Sequence, residues 1–131
     1  MAFPTLGGGY QVTDGNVNEL QIVIQSTPAT ITTGSGTVTA AQLLAGIVVT
    51  SNATPGTQTL PTVALLEAAL VNPKVDAGFE VSFINTGGAT MTVAAGTGWS
   101  TVGTLTAATL TSALFRARKT GDGAWTLYRI S

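Results

Sequence analysis

The stretch FEVSFINTGGATMTVAAGTGW, residues 79–99, decides the fold class. Phe79, Val81 and Phe83 alternate with Glu80, Ser82 and Ile84, the period of two that marks a strand with one buried face. Asn85-Thr86-Gly87-Gly88 has turn composition, and Met91 and Val93 resume the alternation, so the spacing predicts a hairpin. No residue from 83 to 99 is charged. Small hydroxyl and β-branched side chains suit a pleated surface packed closely by neighbouring strands.

The same periodicity continues outward. In ALFRARKT (113–120), Phe115 and Ala117 fall on one face and Arg116 and Arg118 on the other; TGDG turns the chain and AWTLYRIS closes it. On the N-terminal side, TVALLEAALVNP (62–73) predicts a helix capped by Thr62 and ended by Asn72-Pro73. Leu65, Leu66, Ala69 and Leu70 form its apolar face, with Glu67 on the opposite, solvent face. TAAQLLAG (39–46) predicts a short helical turn, because Thr39 and Gln42 have capping-box spacing and Gly46 can adopt the left-handed stop. The strand IVVTS follows. NELQIVIQS (18–26) alternates Leu20, Ile22 and Ile24 with Gln21 and Gln25 and predicts a half-buried strand that needs a partner. Residues 1–17, with three consecutive glycines, predict an extended N-terminal arm with Phe3, Leu6 and Tyr10 as apolar hooks. The expected organisation is that arm followed by a single β-rich domain, residues 18–131.

Composition narrows the function. Charged residues make up 8% of the 131-residue chain, against about 25% in ordinary soluble domains. Net charge is −1, and a near-zero balance favours self-association. The apolar stretches around Leu43–Val49 and Val63–Val71 are too short to span a bilayer, so no membrane partner is expected, and MAFPTLGGGY has no signal-peptide pattern. Residues 1–73 carry Asp14, Glu19 and Glu67 and no base, whereas all five Lys and Arg lie in 74–131, an asymmetry that would orient subunits head to tail. A surface this poor in charge points to burial against copies of the chain or a larger partner.

Catalysis finds no apparatus. The chain has neither histidine nor cysteine, which removes the commonest general base, the commonest metal ligands and any disulfide framework. Asp76 and Glu80, four apart on a strand, would stand about 13 Å from each other, beyond the spacing of glycosidase pairs. GSGTVTAAQ (34–42) lacks the third glycine and the βαβ context of a dinucleotide site. No catalytic residue, cofactor or metal is expected. Arg116, Arg118 and Lys119, with Trp125 and Tyr128 nearby, are too few on an anionic chain for nucleic-acid binding and read as solvated guards of a strand edge. GTVTAA (36–41) recurs as GTLTAA (103–108); in a chain this rich in Thr, Ala and Gly, the recurrence reads as coincidence.

The run LPTVALLEAALVNPKVDAGFEVSFINTGGATMTVAAGTGW, with ALFRARKTGDGAWTLYRIS after it, resembles a pattern of tailed-bacteriophage virion proteins, the capsid decoration (cement) family and related β-sandwich modules. The likeness covers about residues 35–130 and departs from the pattern at VDAGFE. It implies a mainly β protein, a β-sandwich or jelly-roll-like domain with one or two short helices. It also implies a structural role as a trimer on the outer capsid surface of the virion after synthesis in the bacterial cytoplasm, with the major capsid protein as partner. The arm, through Phe3, Leu6 and Tyr10, would contact the capsid or a neighbouring subunit. A single module without fibre repeats favours decoration. The alternative is a head- or tail-fibre module that recognises a host-surface glycan, for which Trp99, Trp125 and Tyr128 would be the stacking residues.

Overall fold

A computed structural model of the chain describes residues 25–131. Twelve elements follow in order: β1 (Ala29–Ile31), β2 (Gly36–Thr37), α1 (Ala40–Leu44), β3 (Ile47–Thr50), β4 (Gly56–Thr59), α2 (Val63–Ala69), β5 (Gly78–Asn85), β6 (Met91–Ala94), β7 (Trp99–Val102), β8 (Thr106–Ala107), β9 (Ser112–Gly121) and β10 (Ala124–Arg129). They build a six-stranded sheet, β1-β3-β5-β9-β10-β7, and a four-stranded sheet, β2-β4-β6-β8. The described residues are therefore mainly β, with two sheets and two short helices, as expected. Phe3, Leu6, Tyr10 and the strand expected over 18–26, except Gln25 and Ser26, lie outside the described residues.

The path through these sheets is a flattened coil. From β1 to β6, successive strands alternate between the two sheets, and each joins its predecessor in the same sheet in parallel: β1 with β3, β3 with β5, β2 with β4, β4 with β6. β9, antiparallel to β5, and β10, antiparallel to β9, extend the larger sheet, and β7 forms its edge parallel to β10. The predicted hairpin is thus corrected. β5 and β6 are consecutive but lie in different sheets, β5 between β3 and β9 and β6 between β4 and β8. Asn85 causes the change of sheet. Only 1% exposed, it donates from Nδ2 to the carbonyls of Ala89, Ala107 and Ala108 at 2.8, 3.0 and 3.1 Å. Its Oδ1 accepts the Gly87 N–H. These bonds turn the backbone into the opposite sheet instead of back along β5.

The corner one coil earlier repeats the device. Asn52, also buried, has its carboxamide among the carbonyls of Thr32, Thr33 and Ser51; in the orientation that satisfies both its ends, nitrogen donates to all three at 3.0–3.2 Å. The corners stack directly, because Thr86 N–H donates to Thr50 O at 2.8 Å and Gly88 N–H to Asn52 O at 3.0 Å. Contact at this stack is too close for side chains. A Cβ on Gly87 would lie 2.3 Å from the Asn52 carbonyl oxygen, and one on Gly56 1.6 Å from that of Gly34.

The helices close the other end of the sandwich. α1 has the expected capping box between Thr39 and Gln42, and Gly46 takes φ +86. α2 starts at the Thr62 cap, but its buried face differs from the prediction. Val63 and Leu66 face the core and Leu70 packs against it, whereas Leu65 is 61% exposed. The adjacent Leu65 and Leu66 permit either phase, and burial of Val63 selects this one. Between the sheets, Phe83 packs edge-on to Phe115, and Trp125 lies against both Phe79 and Trp99.

Candidate interaction surfaces

None of the four strands of the smaller sheet carries a charged residue, and the outer-face ion pairs of the described chain lie on the larger sheet. The strand parity of β9 places Arg116 and Arg118 on the outer face of the six-stranded sheet, where the register sets Arg116 beside Glu80. Arg116 pairs with Glu80, and Arg118 pairs with Asp76 at 2.7 Å while donating to the Tyr128 hydroxyl at 3.3 Å. Asp76 and Glu80 are thus each engaged by an arginine. β9 also lies inside its sheet, between β5 and β10, so its cations do not guard a strand edge. Edge protection comes instead from Arg129, whose Nη1 donates to the Thr104 and Thr106 carbonyls at β8.

Lys119 corrects the reading of a solvated charge. It continues the inward parity of Ala113, Phe115 and Ala117 and is 7% exposed. Its Nζ donates to Glu67 Oε1 at 2.6 Å, and the Trp125 indole N–H donates to the same oxygen at 3.0 Å. Glu67 therefore turns toward this cluster, with its side chain 24% exposed. The Lys119 hydrogen bond, followed by that of Trp125, holds the Glu67 carboxyl below its ordinary range. An ammonium so buried needs an anion beside it, which explains why the one acidic residue of α2 points inward.

The aromatic residues nominated for stacking do not form a platform. Trp125 and Trp99 are 1% and 8% exposed, and Trp99 donates its indole N–H to the Pro61 carbonyl at 2.8 Å. Tyr128 is half-buried on the outer face of the six-stranded sheet.

The outer face of the four-stranded sheet is a surface that the sequence did not single out. Inward positions are filled by Gln58, Met91, Val93 and Ala107. The register sets Thr57 beside Thr92 and Thr92 beside Thr106 in one row, and Thr37, Thr59 and Ala94 in the next. No charged residue lies on these four strands. The near-repeat has a place here: its two copies supply β2 and β8, the two edges of this sheet, with Val38 and Leu105 turned to the core. The available signal was hydroxyl residues two apart, as in Thr37-Val38-Thr39 and Thr57-Gln58-Thr59. At ordinary strand spacing the face measures about 19 by 10 Å, on the order of 200 Å².

Among the described residues, no group of three acidic side chains could hold a metal ion, and no helix is long and apolar enough to cross a membrane. Compared with protein-family models, curated proteins and solved structures, the chain matches none.

Proposed function

We propose that the protein is a structural component of a tailed-phage virion, a trimeric decoration protein that clamps neighbouring major-capsid subunits from outside the head. The observation that supports it is the segregation of charge: one sheet carries ion pairs on its outer face, and the other presents only hydroxyl, methyl and backbone groups. An uncharged, regular strand face loses little on desolvation and can pack against its own copies. The resemblance of residues 35–130 to the phage virion pattern is the second ground for this proposal.

Magnitude decides how such a clamp would work. A stable interface buries about 800 Å² per partner, and this face supplies about a quarter of that. Self-association therefore needs threefold repetition of the contact and additional area from the N-terminal arm, so avidity rather than any single contact holds the assembly. Phe3, Leu6 and Tyr10 are the arm residues assigned to that role. Chemistry is absent from the mechanism: capsid subunits are held together by non-covalent bridging alone. Burial of Trp99 and Trp125 leaves the glycan-recognition alternative without its proposed stacking surface.

The Thr59→Lys/Thr106→Lys variant tests the sheet contact. Both side chains point outward and the two positions are not cross-strand neighbours, so stability should change by less than about 1 kcal/mol. Native mass spectrometry should show trimers for the wild-type chain and monomers for the variant. A monomeric wild type, or a variant trimer of equal strength, would overturn the assignment of this face.

A further inference from the structure

α2 is fastened to the larger sheet unevenly along its length. At its start, Val63 N–H donates to Thr97 O at 2.9 Å, and Val63 and Leu66 are its buried side chains. Leu65 is exposed, and the connection after the helix, residues 70–75, carries Val71 at 94% exposure and an exposed Val75. A short segment with this much apolar surface in water belongs to the least stable parts of a fold. Among the described residues, the remaining polar link from α2 to the sheet is one carboxylate oxygen, Glu67 Oε1, which accepts from both Lys119 Nζ and the Trp125 indole N–H. The two donors are fixed independently of the helix. β9 and β10 pair with each other, and Lys119 N–H donates to Ala77 O while its carbonyl accepts Asp76 N–H, both at 2.9 Å.

From this geometry we infer that the Glu67–Lys119–Trp125 cluster is an acid-released latch: protonation of Glu67 frees the C-terminal turn of α2 and exposes the Trp125 indole. The buried lysine supplies the driving force. A neutral Glu67 no longer balances an ammonium that is 7% exposed, and an unpaired charge at that depth must reach water or lose its proton. Acid closes the second route, so the weakly held helix end yields. The Lys119 hydrogen bond, followed by that of Trp125, keeps the Glu67 carboxyl below its ordinary value of 4.5. A carboxyl lowered on folding contributes stability that is complete above its unfolded value and is lost as pH falls through the folded one, so the latch holds at neutral pH and opens below 4.5. The surrounding charges do not substitute for it. α1 carries none, Asp76 and Glu80 are held by arginines on the outer face, and Lys74, which lines a groove with Trp125, adds a second positive charge. The inference does not depend on the virion reading, since it concerns the isolated chain.

Hydrogen exchange of the full chain, followed by NMR as protection factors from neutral to acid pH, tests it. Below 4.5, the ordinary value of the carboxyl, the amides of Leu66 to Leu70 should lose protection while those of Phe83, Phe115 and Leu127, buried in the larger sheet, keep theirs. The Trp125 indole N–H resonance should move over the same range. Lys119→Met removes the buried ammonium and should keep α2 protected throughout the acid range. Glu67→Gln, which stands in for the protonated acid, should show the released pattern already at neutral pH. The titration of the parent chain carries the test by itself where a variant fails to fold. Loss of α2 protection only together with the whole sheet, the same acid release in Lys119→Met, or parental protection in Glu67→Gln would each overturn the inference. None of these readouts involves a capsid, so they fail or succeed apart from the decoration role.

Discussion

Asn85→Ala should cost about 4 kcal/mol of folding stability and lower the melting temperature by roughly 10 °C or more. In a buried site the two N–H groups of the side chain are shared among three carbonyls, and its oxygen accepts the Gly87 N–H. These three donor positions are worth about 1 kcal/mol each net, and truncation adds the cost of leaving the carbonyls and the Gly87 N–H without this partner. The damage extends beyond one turn, because Ala107 and Ala108 belong to the segment that carries β8 and Gly87 rests on the previous corner. Thr86→Ala is the natural comparison. It removes a single hydroxyl bond to the Thr50 carbonyl from an exposed residue and should cost about 1 kcal/mol at most. Denaturant unfolding of both variants measures the difference, and equal losses would show that Asn85 does not hold the corner.

Gly56→Ala should be comparably damaging for a different reason. The added methyl would stand 1.6 Å from the Gly34 carbonyl oxygen and 2.6 Å from its carbon. The obstacle is backbone, which cannot rotate aside as a flexible side chain would. Either the β1–β2 turn lifts away from the β3–β4 turn or β4 slides off β2, and the stacking of coils is lost in both cases. Overpacking of this kind costs about 3 kcal/mol or more. Gly88→Ala provides the contrast in the corner one coil later, since a Cβ there meets nothing within 4 Å and the residue's φ is not positive. That variant should match the parent or gain about 0.5 kcal/mol from a less flexible unfolded chain. If Gly56→Ala unfolded at the parental denaturant concentration, the close stacking of corners would be wrong.

These two residues also show how far the sequence could be read. Alternation from Phe79 to Ile84 and from Ala113 to Arg118 identifies strands and their inward faces, because side-chain direction depends only on local backbone geometry. Thr39, Gln42 and Thr62 mark helix starts for the same local reason. Strand pairing is not local. A strand that returns beside its predecessor and one that crosses to another sheet have the same alternation, so Asn85-Thr86-Gly87-Gly88 reads as a hairpin turn until the buried carboxamide is seen binding carbonyls 22 and 23 residues away. Glu67 and Lys119 depart from the expectation that charge means solvent. Each is ordinary taken singly, and only the fold brings them together across 52 residues. The parity of Ala113, Phe115 and Ala117 nevertheless pointed to an inward Lys119. The threonine face was hidden in plain composition, because its regularity arises from register between strands.

The copy number of the chain per particle bears most directly on the decoration role. Quantitative mass spectrometry of purified virions, referenced to the major capsid protein, should give about one chain per shell subunit if trimers cover the head by repeating a weak, uncharged contact. A few copies per particle would contradict that role and place the chain at a vertex, fibre or tail.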